Sequence, residues 1–349
     1  MESIRKPAEE ETIYGPGREP YEGPMETIER GEAEKRVAKP VGKLVEGREP
    51  FRWRSIVSYK TIPNIVLRGY DTTRLAEEGY GVCDILFILF QSRIPLSNEE
   101  RMLNYLTILF FDDGMSLPAV SSRASSDGRS FMTQAIGAGI LAFGHVYGPF
   151  QDYGYMMNKY LERAEKENKS LKEMAQILVK EYLEGGETIL GLYPEHVQGD
   201  PMPYRVFKKA ESLGTAGKYH DFQIEIQNAV NQVREKEGKA KLHPDMVGAA
   251  GSAMLDLGFT PEATWAIVIT TRAYGCGAHA MDEMEDKSTE EPYGVRLQGP
   301  EDYDGIPDRP VPPVKDREKV AKPIVARTVD DWHKTFKELK KIKGSGWSI

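Results

Sequence analysis

The chain has 349 residues and a formal net charge of −8, from 46 Lys and Arg against 54 Asp and Glu. That length supports one large or two smaller domains around a sizeable core, and the acidic balance argues against general nucleic-acid binding, which needs a basic face. No run approaches the ~18 apolar residues of a membrane helix, and Cys83 and Cys276, the only cysteines, exclude a disulfide framework and a four-cysteine zinc site. No membrane or nucleic-acid partner is expected, and with no secretory pattern visible the expected location is cytoplasmic.

In chain order, residues 1–50 are rich in Glu, Lys, Arg, Pro and Gly and lack apolar periodicity. Such a segment cannot offset its own ordering entropy, so an extended or disordered arm, or one lying on a partner subunit, is predicted. Strand signals are confined to about Ile56–Leu67. Ser97 and Glu100 read as a capping box before the apolar run Met102–Phe111. "AIGAGILAFG" at 135–144 is small-sided, which predicts a buried helix in close contact with a neighbour. Ser170 and Glu173 cap Met174–Leu183, and Gly185-Gly186 stop it. "VGAAGSAMLDLG" at 247–258 predicts a second small-sided, central helix, and Thr260-Pro261 opens a long helix over Ala263–Met284. From Gly299 the chain turns Pro-rich, and Asp331–Lys341 reads as a short amphipathic helix in a C-terminal tail. The fold class is therefore all-α. No internal repeat is visible.

Generic chemical motifs are missing: there is no Walker loop, no dinucleotide fingerprint and no HExxH. His279, Asp282 and Glu283 share a segment, and an ordinary helix with a solvated acidic end explains them better than a metal does. Three of the six histidines, His145, His196 and His243, sit beside Gly or Pro at breaks between helices. Singly, each reads as a turn residue. Together, with Asp200 and Asp245 beside two of them, they also fit one acid–base site.

The order of these segments resembles the citrate synthase superfamily, most closely its citryl-CoA lyase and ATP-citrate lyase-type branch. "LRGYDTTRLAEEGYGVCDILFILFQSRIPLSNEE" is similar to the family's opening helices. "QAIGAGILAFGHVYGPFQDYG" stands at its small-residue helix and His-bearing turn, and "GLYPEHVQGDPMPYRVFKKAESLG" at its GFGH…DPR loop. "HPDMVGAAGSAMLDLGFTPEATWAIVITTRAYGCGAHAMDEMED" resembles the NVDG…LGF…R…AH…E segment. The likeness spans about 62–313.

The resemblance implies a citrate synthase-like fold. A large helical domain (51–149 with 262–313) would carry the interface of a homodimer or higher homo-oligomer. A smaller domain (150–261) would close over coenzyme A, and 314–349 would form the tail. It implies Claisen-type chemistry on a CoA thioester, with CoA as substrate or product and no metal. The catalytic candidates it gives are His145, Tyr147, Tyr193, His196 and Asp245. Tyr147 stands where the family's turn has its His, with His145 two residues earlier. Tyr193 stands at the second His position, with His196 three residues later, and Val247 stands at the family's Asp, with Asp245 two residues earlier. Arg272 matches an arginine used on substrate carboxylate. Arg205 stands in for the DPR arginine, whose place Met202 takes, and His243 joins them in substrate binding. Leu192, Pro194, Val197, Lys208 and Lys209 are the CoA candidates, with Arg123 and Arg129 near the first turn. Loss of the DPR arginine and the tyrosines of these loops imply a substrate other than citrate. The alternative is a catalytically silent paralogue acting as a partner or regulatory subunit.

Overall fold

The computed structural model describes residues 55–60, 64–144, 148–194, 201–285 and 313–316. The arm 1–50, the histidine turn at 145–147, the loop 195–200 and the helix expected at Asp331–Lys341 lie outside the described residues. Residues 1–292 form one unit. The other, 293–349, is described only at Val314–Asp316, a 3-10 turn.

The described part is nearly all helical. It opens with a small antiparallel sheet of β1 (Ser58–Lys60), β2 (Ile65–Leu67) and β3 (Tyr70–Asp71), where the sequence predicts strand. Helices α1 (Thr72–Glu77), α2 (Val82–Gln91) and α3 (Ser97–Phe110) follow. The α3 cap differs from the expected Ser97/Glu100 pair by one residue. Glu99 reaches back to the Leu96 N–H at 2.6 Å while also binding Arg93 at 2.6 and 2.8 Å. The bidentate arginine selects Glu99 over its neighbour and so sets the helix phase.

Helices α4 (Leu117–Asp127) and α5 (Met132–Leu141) pack on each other and on α11 (Pro261–Glu285). Gly139 of α5 lies against Cys276 of α11 with no room for a β-carbon, and Ser122 donates to the Cys276 carbonyl at 2.8 Å. The small residues at 135–144 thus do give close approach on one face. The other face is open: Leu141 is 85% exposed.

Helices α6 (Phe150–Glu167) and α7 (Leu171–Gly185) come next. The Ser170–Glu173 box forms as expected, and Gly186 ends α7 in the left-handed region at φ 67°. Thr260 likewise caps α11, accepting from the Ala263 N–H at 3.2 Å.

The core centres on α10 (Met246–Asp256), buried at every residue from Val247 to Leu255. It packs against α6, α8 (Met202–Leu213), α9 (Lys218–Lys236) and α11. Tyr153, Tyr160, Phe87 and Phe222 are the largest fully buried side chains around it, each worth about 1.5–3 kcal/mol in burial. Such a small-sided helix lets four others converge.

Candidate functional site

The site grows from a feature the sequence did not announce. Two three-residue strands, β4 (Leu192–Pro194) and β5 (Leu242–Pro244), pair antiparallel about fifty positions apart. Their register sets Tyr193 opposite His243. Tyr204, in the first turn of α8, shares a 2.8 Å hydrogen bond with His243 Nδ1. Tyr193 and Tyr204 are 49% and 40% exposed, so both phenols face solvent beside the imidazole. A polar groove of about 460 Å³ opens there, lined by Lys172, Gln227, Asn231, Lys241 and His243 among others.

One helix holds this ribbon in place. Gln223, Gln227 and Asn231 are spaced by four on α9, which puts three amides on one face. Gln223 Nε2 donates to the Gly191 carbonyl at 3.1 Å. Gln227 Nε2 donates to the Leu242 carbonyl at 3.3 Å, and Asn231 both accepts from the Leu242 N–H (2.7 Å) and donates to its carbonyl (2.9 Å). The candidate residues named from the sequence do not include these amides; their i, i+4, i+8 spacing in "FQIEIQNAVNQ" is the signal that marks them.

Asp245 follows β5 as the N-cap of α10. Its carboxylate accepts from the Gly248 N–H at 2.7 Å, and its own N–H donates to the Gly191 carbonyl at 3.2 Å. Burial pushes its pKa up to about 6, against the pull of the Gly248 and Val247 N–H groups. A carboxyl titrating there stores and releases protons near neutrality. The approach is tight: a β-carbon on Gly248 would lie 2.3 Å from the Gly191 oxygen. Behind it, the Tyr153 hydroxyl donates to Gln223 Oε1 at 3.0 Å, and its pKa is held well above the usual phenol value by burial. Val247 is buried.

Arg272 lies on α11 and belongs to a separate set of contacts. It is 8% exposed. Nε donates to the Phe110 carbonyl at 2.8 Å, and Nη1 is buried without a hydrogen-bond partner, 3.9 Å from the Asp113 carboxylate. Two turns on, His279 Nε2 meets Asp112 Oδ1 at 3.1 Å.

The remaining candidates divide as follows. His145, Tyr147, His196 and Val197 lie outside the described residues, as does the Pro194 side chain. Leu192 is 7% exposed, its side chain spent in the core, so only its backbone faces the ribbon. Arg205 and Lys208 are exposed on α8, whereas Lys209 is half-buried over the Tyr105 ring at 5.7 Å. Arg123 is not open to a phosphate: it binds Asp282 and Glu283. Those two acids and His279 therefore turn to different partners rather than converging on a cation.

No family model and no curated protein matches this sequence. Solved structures do match. A citryl-CoA lyase from Hydrogenobacter thermophilus superposes with a TM-score of 0.64 at 24% identity, over 74% of this chain and 97% of that one. An ATP citrate lyase from Methanothrix soehngenii, solved with citrate and coenzyme A, gives 0.54 at 15% identity over 68% of this chain and 39% of the other. A citrate synthase from Thermotoga maritima gives 0.52 at 15% identity, over 67% and 60%. The chain has the helical fold seen in these citryl-CoA lyase and citrate synthase structures.

Proposed function

We propose that this chain is a CoA-thioester enzyme of citrate synthase or citryl-CoA lyase type. It would make or break a carbon–carbon bond by Claisen-type chemistry on a substrate other than citrate. The observation that carries the reading is Asp245, raised to about 6, at the foot of a ribbon that pairs Tyr193 with His243. A thioester α-proton is weakly acidic, so its removal needs a base together with a donor to the developing enolate oxygen. In this assignment Asp245 takes the proton, Tyr193 or His145 donates to the enolate, and His196 stands near the second carbonyl. Arg272 anchors a carboxylate, and Arg205 and Lys208 meet the CoA phosphates. Residues 150–261 act as the smaller domain over the cofactor.

The alternative, a catalytically silent subunit, draws on one observation. The Asp245 carboxylate is engaged as a helix cap, and the apolar Val247 holds the position where the resemblance expects an acid. The test is proton exchange. In deuterated buffer, wild type should wash deuterium into the α-position of a bound acyl-CoA, and Asp245→Asn should not. Equal exchange by both moves the base elsewhere. No exchange with any acyl-CoA, together with no CoA binding in calorimetry up to millimolar concentration, leaves the silent subunit.

Homodimerisation is part of the same proposal. Phe131, Leu141, Leu117 and Met281 are 80%, 85%, 55% and 51% exposed on the α4–α5–α11 group, and large exposed apolar surface on a soluble helical unit marks an association face. Light scattering should give twice the chain mass at micromolar concentration; a monomer counts against it.

A further inference from the structure

In a neutral imidazole one ring nitrogen carries the proton and the other accepts, so the partner of one nitrogen fixes the state of both. For His243 the partner of Nδ1 is Tyr204, whose hydroxyl lies 2.8 Å away, with the two rings edge to face at 6.3 Å. The proton between them belongs either to the phenol or to Nδ1. A phenol is the better donor of the two, since its oxygen shares a lone pair with the ring, and an unprotonated imidazole nitrogen is a strong acceptor.

A third residue decides the same way. Gln227 Nε2 stands 3.3 Å from the Leu242 carbonyl and 3.4 Å from the Tyr204 hydroxyl oxygen. A carbonyl only accepts, so the amide end that faces Leu242 is the NH2 group, and its second N–H serves the Tyr204 oxygen. Were Nδ1–H donating as well, that oxygen would face two donors while its own proton turned away from both. Donation by Tyr204 instead gives every group a complementary neighbour. The three residues sit on three elements, α9, α8 and β5. Asn231, one turn further along α9, holds both backbone groups of the Leu242 that Gln227 contacts.

We propose that Tyr204 is a positioning residue for His243. It donates to Nδ1, so the neutral imidazole keeps its proton on Nε2 and serves as a hydrogen-bond donor, not as a base, to whatever oxygen stands before it. For a ligand in the groove that His243 lines, the matching atom is an acceptor oxygen, as a carbonyl or a carboxylate supplies, and proton removal is left to Asp245. The inference rests on the reading above only for the part of His243 in substrate binding. The tautomer itself stands on the contacts among Gln227, Tyr204 and His243.

The test is nuclear magnetic resonance of the full chain, isotopically labelled at both ring nitrogens of histidine, at about pH 9, where ordinary histidines are neutral. His243→Gln identifies the His243 signals among the six histidines by their loss. In the wild type Nδ1 should resonate as an unprotonated acceptor and Nε2 as a protonated nitrogen. Tyr204→Phe keeps the exposed ring and removes only the hydroxyl; the ratio of Nε2–H to Nδ1–H should fall about fivefold, the worth of one hydrogen bond. Gln227→Met should move the ratio the same way by a smaller factor, with the Leu242 carbonyl still held by Asn231. A proton on Nδ1 in the wild type, or a Tyr204→Phe ratio within about twofold of the wild-type one, overturns the proposal. Coenzyme A titrated into the same samples separates the two readings. The expected tautomer with no CoA binding removes the CoA reading and leaves Tyr204 in its role, whereas CoA binding with Nδ1 protonated removes that role alone.

Discussion

Asp245 gives the sharpest separation between a helix cap and an acid–base group, because the two roles predict opposite effects on stability. Its folded pKa of about 6 lies above the ordinary Asp value of ~3.9. An acid raised by folding contributes stability that is fully present below the unfolded pKa and is lost as pH rises through the folded one. A rise of about two units corresponds to about 3 kcal/mol lost between pH 4 and pH 7. The side chain keeps a partly exposed edge, so solvent relaxation reduces this to roughly 1–2 kcal/mol. Asp245→Asn keeps a side-chain oxygen for the Gly248 N–H, and Asn caps as well as Asp. The variant should therefore be more stable than wild type by about 1–2 kcal/mol at pH 7.5, a rise of roughly 2–6 °C in Tm for a unit of this size. At pH 3, below both the folded and the unfolded pKa, the carboxyl is protonated in both states and the two should melt together. The assay is urea unfolding at both pH values, with m unchanged. A variant less stable than wild type at pH 7.5 would show that the carboxylate is there for the cap, and the acid–base role would lose its physical basis.

Other substitutions test the frame around the site. Gly248→Ala drives a methyl to 2.3 Å from the Gly191 oxygen and 2.9 Å from Gln223 Nε2; it should cost about 3 kcal/mol in urea unfolding, and a cost under ~1 kcal/mol would mean that α10 does not pack so closely on the β4 turn. Asp256 accepts from the Gly217, Tyr219 and His220 N–H groups at 2.9–3.0 Å, so Asp256→Ala should cost about 2–3 kcal/mol and fray the start of α9, read as faster amide exchange there. Asn231→Ala strips the Leu242 N–H of its amide partner and leaves its carbonyl only the longer bond from Gln227; stability should fall by about 1–2 kcal/mol, with the Leu242 amide losing exchange protection before the core of α10 does.

Where sequence and structure agree, the deciding interaction spans three or four residues. Ser170 and Glu173 satisfy each other's backbone groups, and Thr260 caps its helix whatever the rest of the chain does. Where they differ, something distant decides. Glu99 rather than Glu100 caps α3 because Arg93 grips it, and two adjacent glutamates offer no local reason to choose. The β4–β5 ribbon escaped notice because three residues carry no periodicity; its strands exist because α9 presents amides to their backbone. The candidate site follows the same rule. His243, Tyr193 and Asp245 were legible as residue types beside Gly and Pro, but their convergence depends on pairing across fifty positions. Arg272 was legible through the resemblance, yet the charge it faces is set by Asp113, a neighbour brought in from beyond the end of another helix. Charge at this site is therefore set by tertiary contact.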